Sequence, residues 1–170
     1  MIQIRPENPD DIEAIRQVHL SAFPRPNEAK LVDLLRQAGK ASVSLVALEE
    51  GRVIGHVLFS PIDLVPNSMN LHGLGMGPVG VLPKFQRQGI GSRLIIEGLE
   101  ICRRKGFDFI VELGEPKYYS RFGFLRASDY NLKNEYDADD AFRVIEMHIG
   151  ILQKISGLVK YQPEFSETDC

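Results

Sequence analysis

The changes of hydrophobic period along the 170-residue chain limit its fold more than any other feature. Apolar and polar residues alternate in a first short segment, and apolar residues then recur at helical spacing in two segments separated by Pro24 and Pro26. Three strand-like segments, a helix, a strand, a short helix and two strands follow. The predicted order is βααβββαβαββ. A doubly wound sheet needs strict strand–helix alternation, so we expect an α/β (α+β) domain with a mixed, mostly antiparallel, twisted sheet flanked by helices.

Turn and cap residues give the predicted bounds. Glu50 and Gly51 join two strands in a hairpin, while Gly39 and Gly106 suit helix ends. Strands are predicted at residues 2–5, 42–49, 52–60, 71–82, 107–113, 124–127 and 141–149, and helices from about residues 8, 27, 89 and 116. Residues 61–70 and the acidic segment 128–140 are predicted loops. Because no repeat or linker is present, we expect one domain over residues 1–165 and a loosely held tail at 166–170.

Charge and composition exclude several classes of protein. The net charge is −3 with acids and bases interspersed, which gives no basic face for nucleic acid. The chain has two cysteines, no signal-peptide pattern at its start and no apolar run of membrane-spanning length. We therefore expect a cytoplasmic protein without membrane contact. His19, His56 and His72 show no metal-ligand spacing, so no metal is predicted, and Cys102 is interpreted as a small buried hydrophobe.

A strand–loop–helix segment, residues 79–92, is the strongest candidate for a binding site. The strand leaves through Pro83, and a loop with Gly89 and Gly91 opens an amphipathic helix. Amides between residues 88 and 92 are the unpaired donors of that helix start, and glycines let a diphosphate approach the main chain. The alternative is that these glycines only form a tight turn.

Two better-known phosphate motifs do not apply. Gly75, Gly77 and Gly80 match G-x-G-x-x-G, but the match continues into a strand instead of opening a helix. The chain also contains no G-K-S or G-K-T, which excludes a P-loop.

The spacing of Gln86, Gly89 and Gly91 resembles the pyrophosphate motif of the GNAT superfamily of N-acetyltransferases, Q/R-x-x-G-x-G/A. The element order matches this family as well. Residues 114–124 are similar to a later family motif, with the pattern G-D/E-P-x-Y-Y-x-R-F-G-F of a bacterial subgroup, and residues 161–165 match its C-terminal aromatic-x-P-x-F. The resemblance spans nearly the whole chain.

The resemblance implies acetyl-CoA as cosubstrate and assigns residues to it. Main-chain groups of one strand segment would pair with the pantetheine arm, and one amide there can polarise the thioester carbonyl; these residues are Val79, Gly80 and Val81. The pyrophosphate would lie on the loop and helix start that comprise Gln86, Arg87, Gln88, Gly89, Ile90, Gly91 and Ser92.

Tyr119 is the implied general acid, because it lies four residues before Gly123, where this family often places a proton donor for the departing thiolate. Tyr118 is about 100° away on a helix and cannot face the same point. The alternative is that both tyrosines only pack this helix against the sheet.

The general base is left open among Glu112, Glu146 and His148, for each of which an ordinary salt bridge or exposed position is the competing interpretation. The acidic loop, with Asp129, Glu135, Asp137, Asp139 and Asp140, either steers a cationic amine or is an ordinary solvated loop. The segment 23–28 between the first two helices commonly shapes the acceptor site in such proteins.

The sequence therefore predicts an enzyme that transfers an acetyl or other short acyl group from acetyl-CoA to a primary amine. The acceptor can be a small molecule or a peptide or protein amine, and a homodimer is compatible with the sequence. A non-catalytic acyl-CoA-binding sensor or assembly domain is the alternative, and use of a longer acyl chain or an aminoacyl donor is a third.

Overall fold

A computed structural model describes the whole chain, Met1–Cys170. The strands are β1 Ile2–Pro6, β2 Val43–Glu49, β3 Arg52–Val65, β4 Gly73–Val81, β5 Phe109–Leu113, β6 Leu125–Arg126, β7 Leu132–Asn134, β8 Phe142–Glu146 and β9 Gly157–Tyr161. The α-helices are α1 Ile12–Ala22, α2 Asn27–Gln37, α3 Ile90–Arg104, α4 Pro116–Ser120, α5 Ile151–Lys154 and α6 Pro163–Glu167. Three 3-10 turns lie at Pro9–Asp11, Pro83–Phe85 and Ala127–Tyr130.

The strands form one mixed sheet in the order β1-β2-β3-β4-β5-β8-β6, and β9 pairs with both β3 and β7. The pairs β4–β5 and β7–β9 are parallel. The pairs β1–β2, β2–β3, β3–β9, β5–β8 and β6–β8 are antiparallel. The predicted α/β fold with a mixed, mostly antiparallel sheet and flanking helices is confirmed.

Contacts between Cα atoms divide the chain into two compact units. The first comprises Met1–Ser60, Gly77–Gly98 and Pro163–Cys170. Its main apolar cluster joins α1 and α2 to β2 and β3 through Ile15, Val18, Leu31, Val32, Leu35, Val46, Leu48, Val53 and Leu58. Helix α3 begins in this unit, where Gly98 lies against the buried ring of Phe59.

The second unit comprises Pro61–Met76 and Leu99–Gln162. Its core forms around β5 and β8 and contains Ile62, Leu64, Phe109, Val111, Ala127, Leu132, Phe142, Val144, Leu152, Ile155 and Val159. Residues 109–112 of β5 are all buried, as expected of a strand with neighbours on both edges.

The structure corrects the predicted bounds in two places. Strand β3 continues through Pro61 to Val65, where the sequence predicted a loop. Pro61 lacks an amide donor, and it lies between the part of β3 that pairs with β2 and the part that begins at Ile62 and pairs with β9. The predicted order also omitted β7, α5, β9 and α6, which are all five residues or shorter. Such short elements show too few residues for a period to be recognised.

The C-terminal tail is not loosely held, contrary to the prediction. Helix α6 extends beyond residue 165, and Thr168 is only 8% exposed. The Asn27 side-chain amide donates to the Thr168 carbonyl at 2.7 Å, and Lys40 pairs with Glu164 at 2.8 Å. The polar composition of the tail suggested disorder, whereas its main chain binds Asn27 of α2 and the first turn of α6 binds Lys40 beside α2.

No helix in the structure has the length and apolar character required to cross a membrane.

Candidate active site

The loop between β4 and α3 presents main-chain amides in the first unit. After β4 the chain makes a 3-10 turn at Pro83–Phe85, and α3 begins at Ile90. The amide of Arg93 donates to the Gly89 carbonyl at 3.1 Å. The amides of Gly89, Ile90 and Gly91 come before that bond and have no earlier turn of helix to pair with. The structure starts α3 within one residue of the start that the sequence predicted.

Two residues of this loop have left-handed backbone conformations. Arg87 has φ +63° and Gly89 has φ +83°. Left-handed residues of this kind let successive amides face one point, which is the geometry of anion-binding concavities. An ideal Cβ built on Gly89 meets no heavy atom within 4 Å. The position that a side chain of residue 89 would occupy is therefore open.

Gln86 connects the loop to the preceding strand, since its side-chain amide donates to the Val81 carbonyl at 2.9 Å. The two predicted binding segments of this unit are thus joined directly, and Gln86 acts on the shape of the loop through its side chain.

In the second unit, Glu112 is a carboxyl group buried without a partner. The residue is 1% exposed, and neither carboxylate oxygen has a hydrogen-bond partner. Arg143 lies opposite it in the β5–β8 register, but the guanidinium of Arg143 binds the Asp140 carboxylate at 3.0 Å. Burial raises the pKa of Glu112 to about 8, against a smaller lowering by the Arg143 charge. Neither a salt bridge nor an exposed position, the ordinary interpretations of this residue, describes Glu112.

Tyr119 and Glu112 lie side by side over Gly114. A Cβ on Gly114 would come within 2.5 Å of Tyr119 Cε2 and 3.0 Å of Glu112 Oε2, so only glycine leaves room for both side chains. Burial, and then the nearby charges of Glu112 and Tyr118, raise the pKa of Tyr119. Its phenol therefore stays protonated at neutral pH and can donate a proton or a hydrogen bond.

Tyr118 has different surroundings from its neighbour. The Arg121 guanidinium carbon lies 4.8 Å from the centre of the Tyr118 ring, and the ring of Phe122 is 5.4 Å away edge-on. These contacts suit packing of the short helix α4.

Tyr161 is a second buried tyrosine whose pKa is affected by the charge of Glu112, and it was not identified as a site residue from the sequence. Its ring packs on Gly75, where an added Cβ would lie 2.7 Å from Tyr161 Cε1. Burial and then the charge of Glu112 raise its pKa. The motif at residues 161–165 was the available signal. Nothing in its spacing relates it to Glu112, which lies 49 residues earlier in the chain.

The other two base candidates have structural surroundings. Glu146 Oε1 accepts the amides of Gly150 and Leu152, each at 3.1 Å, and so fixes the start of α5. His148 is exposed.

Several acids of segment 128–140 are engaged within the second unit. Asp139 pairs with Arg126 at 2.7 Å, Asp140 pairs with Arg143, and Glu135 accepts the Tyr161 amide at 3.0 Å. These acids form ion pairs and turns, which favours the interpretation of an ordinary surface loop over the steering of a cation.

Comparison with known proteins identifies the family to which this fold belongs. The family model described as Acetyltransferase (GNAT) family matches residues 12–124, which is more than half of the chain. The chain belongs to the GNAT family of acetyltransferases.

Particular relatives extend the likeness to almost the full length. The N-acetyltransferase YhbS of Escherichia coli K12 is 38% identical over 165 residues, which cover 96% of this chain and 98% of YhbS. A crystal structure of Escherichia coli YhbS in complex with CoA has a TM-score of 0.92 at 36% identity, covering 97% of this chain and 92% of that one. A GNAT acetyltransferase from Brucella melitensis in complex with acetyl-CoA has a TM-score of 0.80 at 36% identity, covering 97% and 98% of the two chains.

The buried carboxyl of Glu112 gives a prediction about stability. Its folded-state pKa, about 8, is above the ordinary value of 4.5, so the folded protein holds the proton more tightly than the unfolded chain. The resulting stabilisation is fully present below pH 4.5 and is lost as the pH rises to 8. Glu112→Gln removes this loss, so urea unfolding at pH 5 and pH 9 should show a smaller pH dependence than in the wild type. Between pH 5 and pH 9, the free energy of unfolding of the wild type should change with pH more steeply than that of the variant, by at most about 1.4 kcal/mol per pH unit. Glu50→Gln, at an exposed turn, should behave like the wild type, and an unchanged pH dependence in Glu112→Gln would contradict the burial argument.

Proposed function

We propose that the protein transfers an acetyl group from acetyl-CoA to a primary amine. The observation that carries the proposal is the buried, unpartnered carboxyl of Glu112 beside the phenol of Tyr119. One group is suited to accept a proton and the other to donate one, which are the two proton transfers that aminolysis of a thioester requires. The CoA and acetyl-CoA complexes of the two relatives support the choice of cosubstrate.

The main chain supplies the binding of the cosubstrate in this proposal. The amides at the start of α3 donate hydrogen bonds to the pyrophosphate, since they lie at the positive end of a helix dipole. The residues that form this cradle are Gln86, Arg87, Gln88, Gly89, Ile90, Gly91 and Ser92. Backbone groups of Val79, Gly80 and Val81 bind the amide-containing arm, and an amide donor there polarises the thioester carbonyl.

Glu112 is the general base of the proposed reaction. The amine nitrogen forms a bond to the thioester carbon, and the proton that it must lose passes to the Glu112 carboxylate. A pKa of about 8 places this group near the pH at which an enzyme operates, where a general base is most effective.

Tyr119 is the general acid. As the bond between carbon and sulfur breaks, the phenol donates its proton to the departing sulfur, so that free thiol leaves. The proton taken up by Glu112 restores the phenol, and the net products are an amide and CoA with a thiol group.

The simplest test is a panel of primary amines, both small molecules and peptides, with acetyl-CoA and detection of released thiol. Amine-dependent release above the rate of hydrolysis is expected for at least one class of acceptor.

Valine at both loop glycines should weaken the binding of acetyl-CoA. In Gly89→Val/Gly91→Val, both positions gain a bulky side chain; the one at residue 89 fills an open position, and the φ of +83° there becomes strained. Isothermal titration should show the affinity reduced at least about tenfold, an amount equal to about 1.4 kcal/mol of binding free energy. Gly106→Val is the matched control, since Gly106 follows the other end of α3 with φ +88° and an equally open Cβ position. Saturable binding of wild-type strength in the double variant would refute the cradle.

Tyr119→Phe should lower kcat while leaving the affinity for acetyl-CoA unchanged, because only the hydroxyl that serves the leaving group is removed. We expect a loss of about 10²-fold or more, the usual range for a positioned acid. Tyr118→Phe is the control and should retain activity. Full activity in Tyr119→Phe would mean that another group donates the proton to the departing sulfur. If the wild type binds acetyl-CoA but shows no turnover, the alternative of a sensor domain is favoured.

Glu112→Gln should remove the pH dependence of kcat/KM that belongs to the base. Only the ionised carboxylate can accept a proton, so wild-type kcat/KM should rise with pH and level off above about 8. The variant should be slow at every pH and lack this rising limb. An unchanged profile would assign the limb to the amine substrate.

A further inference from the structure

A chain of hydrogen bonds runs through the first unit from the partly buried Glu7 to the buried His19. The Ser44 hydroxyl binds the Glu7 carboxylate, and Ser44 Oγ lies 2.8 Å from His56 Nε2. His56 Nδ1 lies 2.8 Å from His19 Nε2. Arg36 holds the far end, with bonds of 2.8 and 3.1 Å to Glu7. Both imidazoles are completely buried.

The direction of donation along this hydrogen-bonded chain is fixed, because its first acceptor, the Glu7 carboxylate, cannot donate. Burial raises the pKa of Glu7, but the imidazole of His56, whose Nε2 lies 3.6 Å away, and the hydrogen bonds from Arg36 and Ser44 outweigh it and hold the pKa well below the usual range. Ser44 therefore donates to an ionised Glu7, and its oxygen accepts the Nε2–H of His56. Burial lowers the pKa of both histidines and keeps them neutral. His56 Nδ1 then accepts the Nε2–H of His19, which leaves His19 Nδ1 without a proton.

This bare nitrogen lies against the main chain of β4. His19 Nδ1 has no hydrogen-bond partner, and a Cβ on Gly80 would lie only 2.8 Å from it and 3.3 Å from Val18 Cγ1. The ring has little freedom to withdraw, since its other nitrogen is bound to His56 and the Phe23 ring stacks on it at 5.9 Å. The imidazole therefore fixes one side of the backbone at Gly80.

We propose that His19 is a positioning residue for the thioester cosubstrate: it holds the backbone of Gly80 where the strand can bind the amide-containing arm. This inference rests on the proposed function, in which Val79, Gly80 and Val81 bind that arm. His19 does not act as a base, because burial lowers its pKa to about 3. Its effect should appear in the affinity for acetyl-CoA and not in turnover.

A double-mutant cycle on Gly80 and His19 tests the contact. Isothermal titration with acetyl-CoA is performed on the wild type, Gly80→Ala, His19→Ala and the double variant. Gly80→Ala should weaken binding about tenfold or more, because the new methyl group displaces the strand from the imidazole. The double variant should bind more tightly than Gly80→Ala, since removing the ring makes room for the methyl group, and such non-additivity is the signature of direct contact.

A second pair of variants tests the hydrogen-bonded chain itself. His19→Gln keeps an N–H that can donate to His56 and should retain most of the affinity. His19→Leu has similar bulk but no hydrogen bond to His56, so the side chain beside Gly80 is no longer held in place and we expect binding weaker by about fivefold or more, equal to about 1 kcal/mol. His72→Leu, at an exposed histidine before β4, is the control and should bind normally. Thermal unfolding of each variant identifies any that do not fold, and His19→Gln still tests the chain if His19→Leu fails.

The outcomes separate this inference from the proposed function. If wild-type protein does not bind acetyl-CoA at all, the proposed function fails. If it binds but the effects of Gly80→Ala and His19→Ala simply add, or His19→Leu binds like the wild type, the positioning role is wrong. A loss of kcat at unchanged affinity would also overturn it, because His19 would then take part in the chemistry.

Discussion

The first amides of an α-helix have no earlier carbonyl to pair with, and the proposed binding of a diphosphate depends on this property. The chain exposes these amides by leaving β4, making a 3-10 turn at Pro83–Phe85 and entering α3 through a glycine with positive φ. The amphipathic stripe of α3 is buried at Ile90, Leu94, Ile95, Leu99 and Cys102, which anchors the helix and therefore fixes the direction of its first turn. A protein with a net charge of −3 can bind a polyanion in this way, because oriented peptide dipoles supply the positive potential.

Burial of Glu112 is the second constraint, and it acts against stability as the pH rises and the carboxyl ionises. Removing an ionised carboxylate from water without a partner is unfavourable, so the group keeps its proton to a higher pH than usual. The antiparallel register places Arg143 opposite, yet Asp140 binds that guanidinium and leaves Glu112 unpaired. Unfavourable burial of this kind is typical of sites where a group must change its protonation state.

The sequence predicted the long elements well because each contains enough residues to show a period. The two helices around Pro24 and Pro26, the hairpin at Glu50 and Gly51, and the buried strand β5 all follow from local chemistry. The sequence-based prediction was wrong at Pro61, which suggested the end of a strand. The strand continues there because β2 pairs with the part before Pro61 and β9 pairs with the part after it. The prediction was also wrong at the tail, where partners on and beside α2 hold polar residues that would otherwise be solvated.

By itself the sequence determined the family, the strand–loop–helix segment with Gly89 and Gly91, and the candidate acid Tyr119, because these depend on residues close together in the chain. Only the tertiary structure decided which of three candidate bases is buried and unpaired and that the charge of Glu112 acts on Tyr161. It also decided that His19, at the end of a hydrogen-bonded chain from Glu7, lies against Gly80. The pKa of a carboxyl and the partner of an imidazole are set by neighbours from distant segments and by the exclusion of water. Neither is encoded in local spacing.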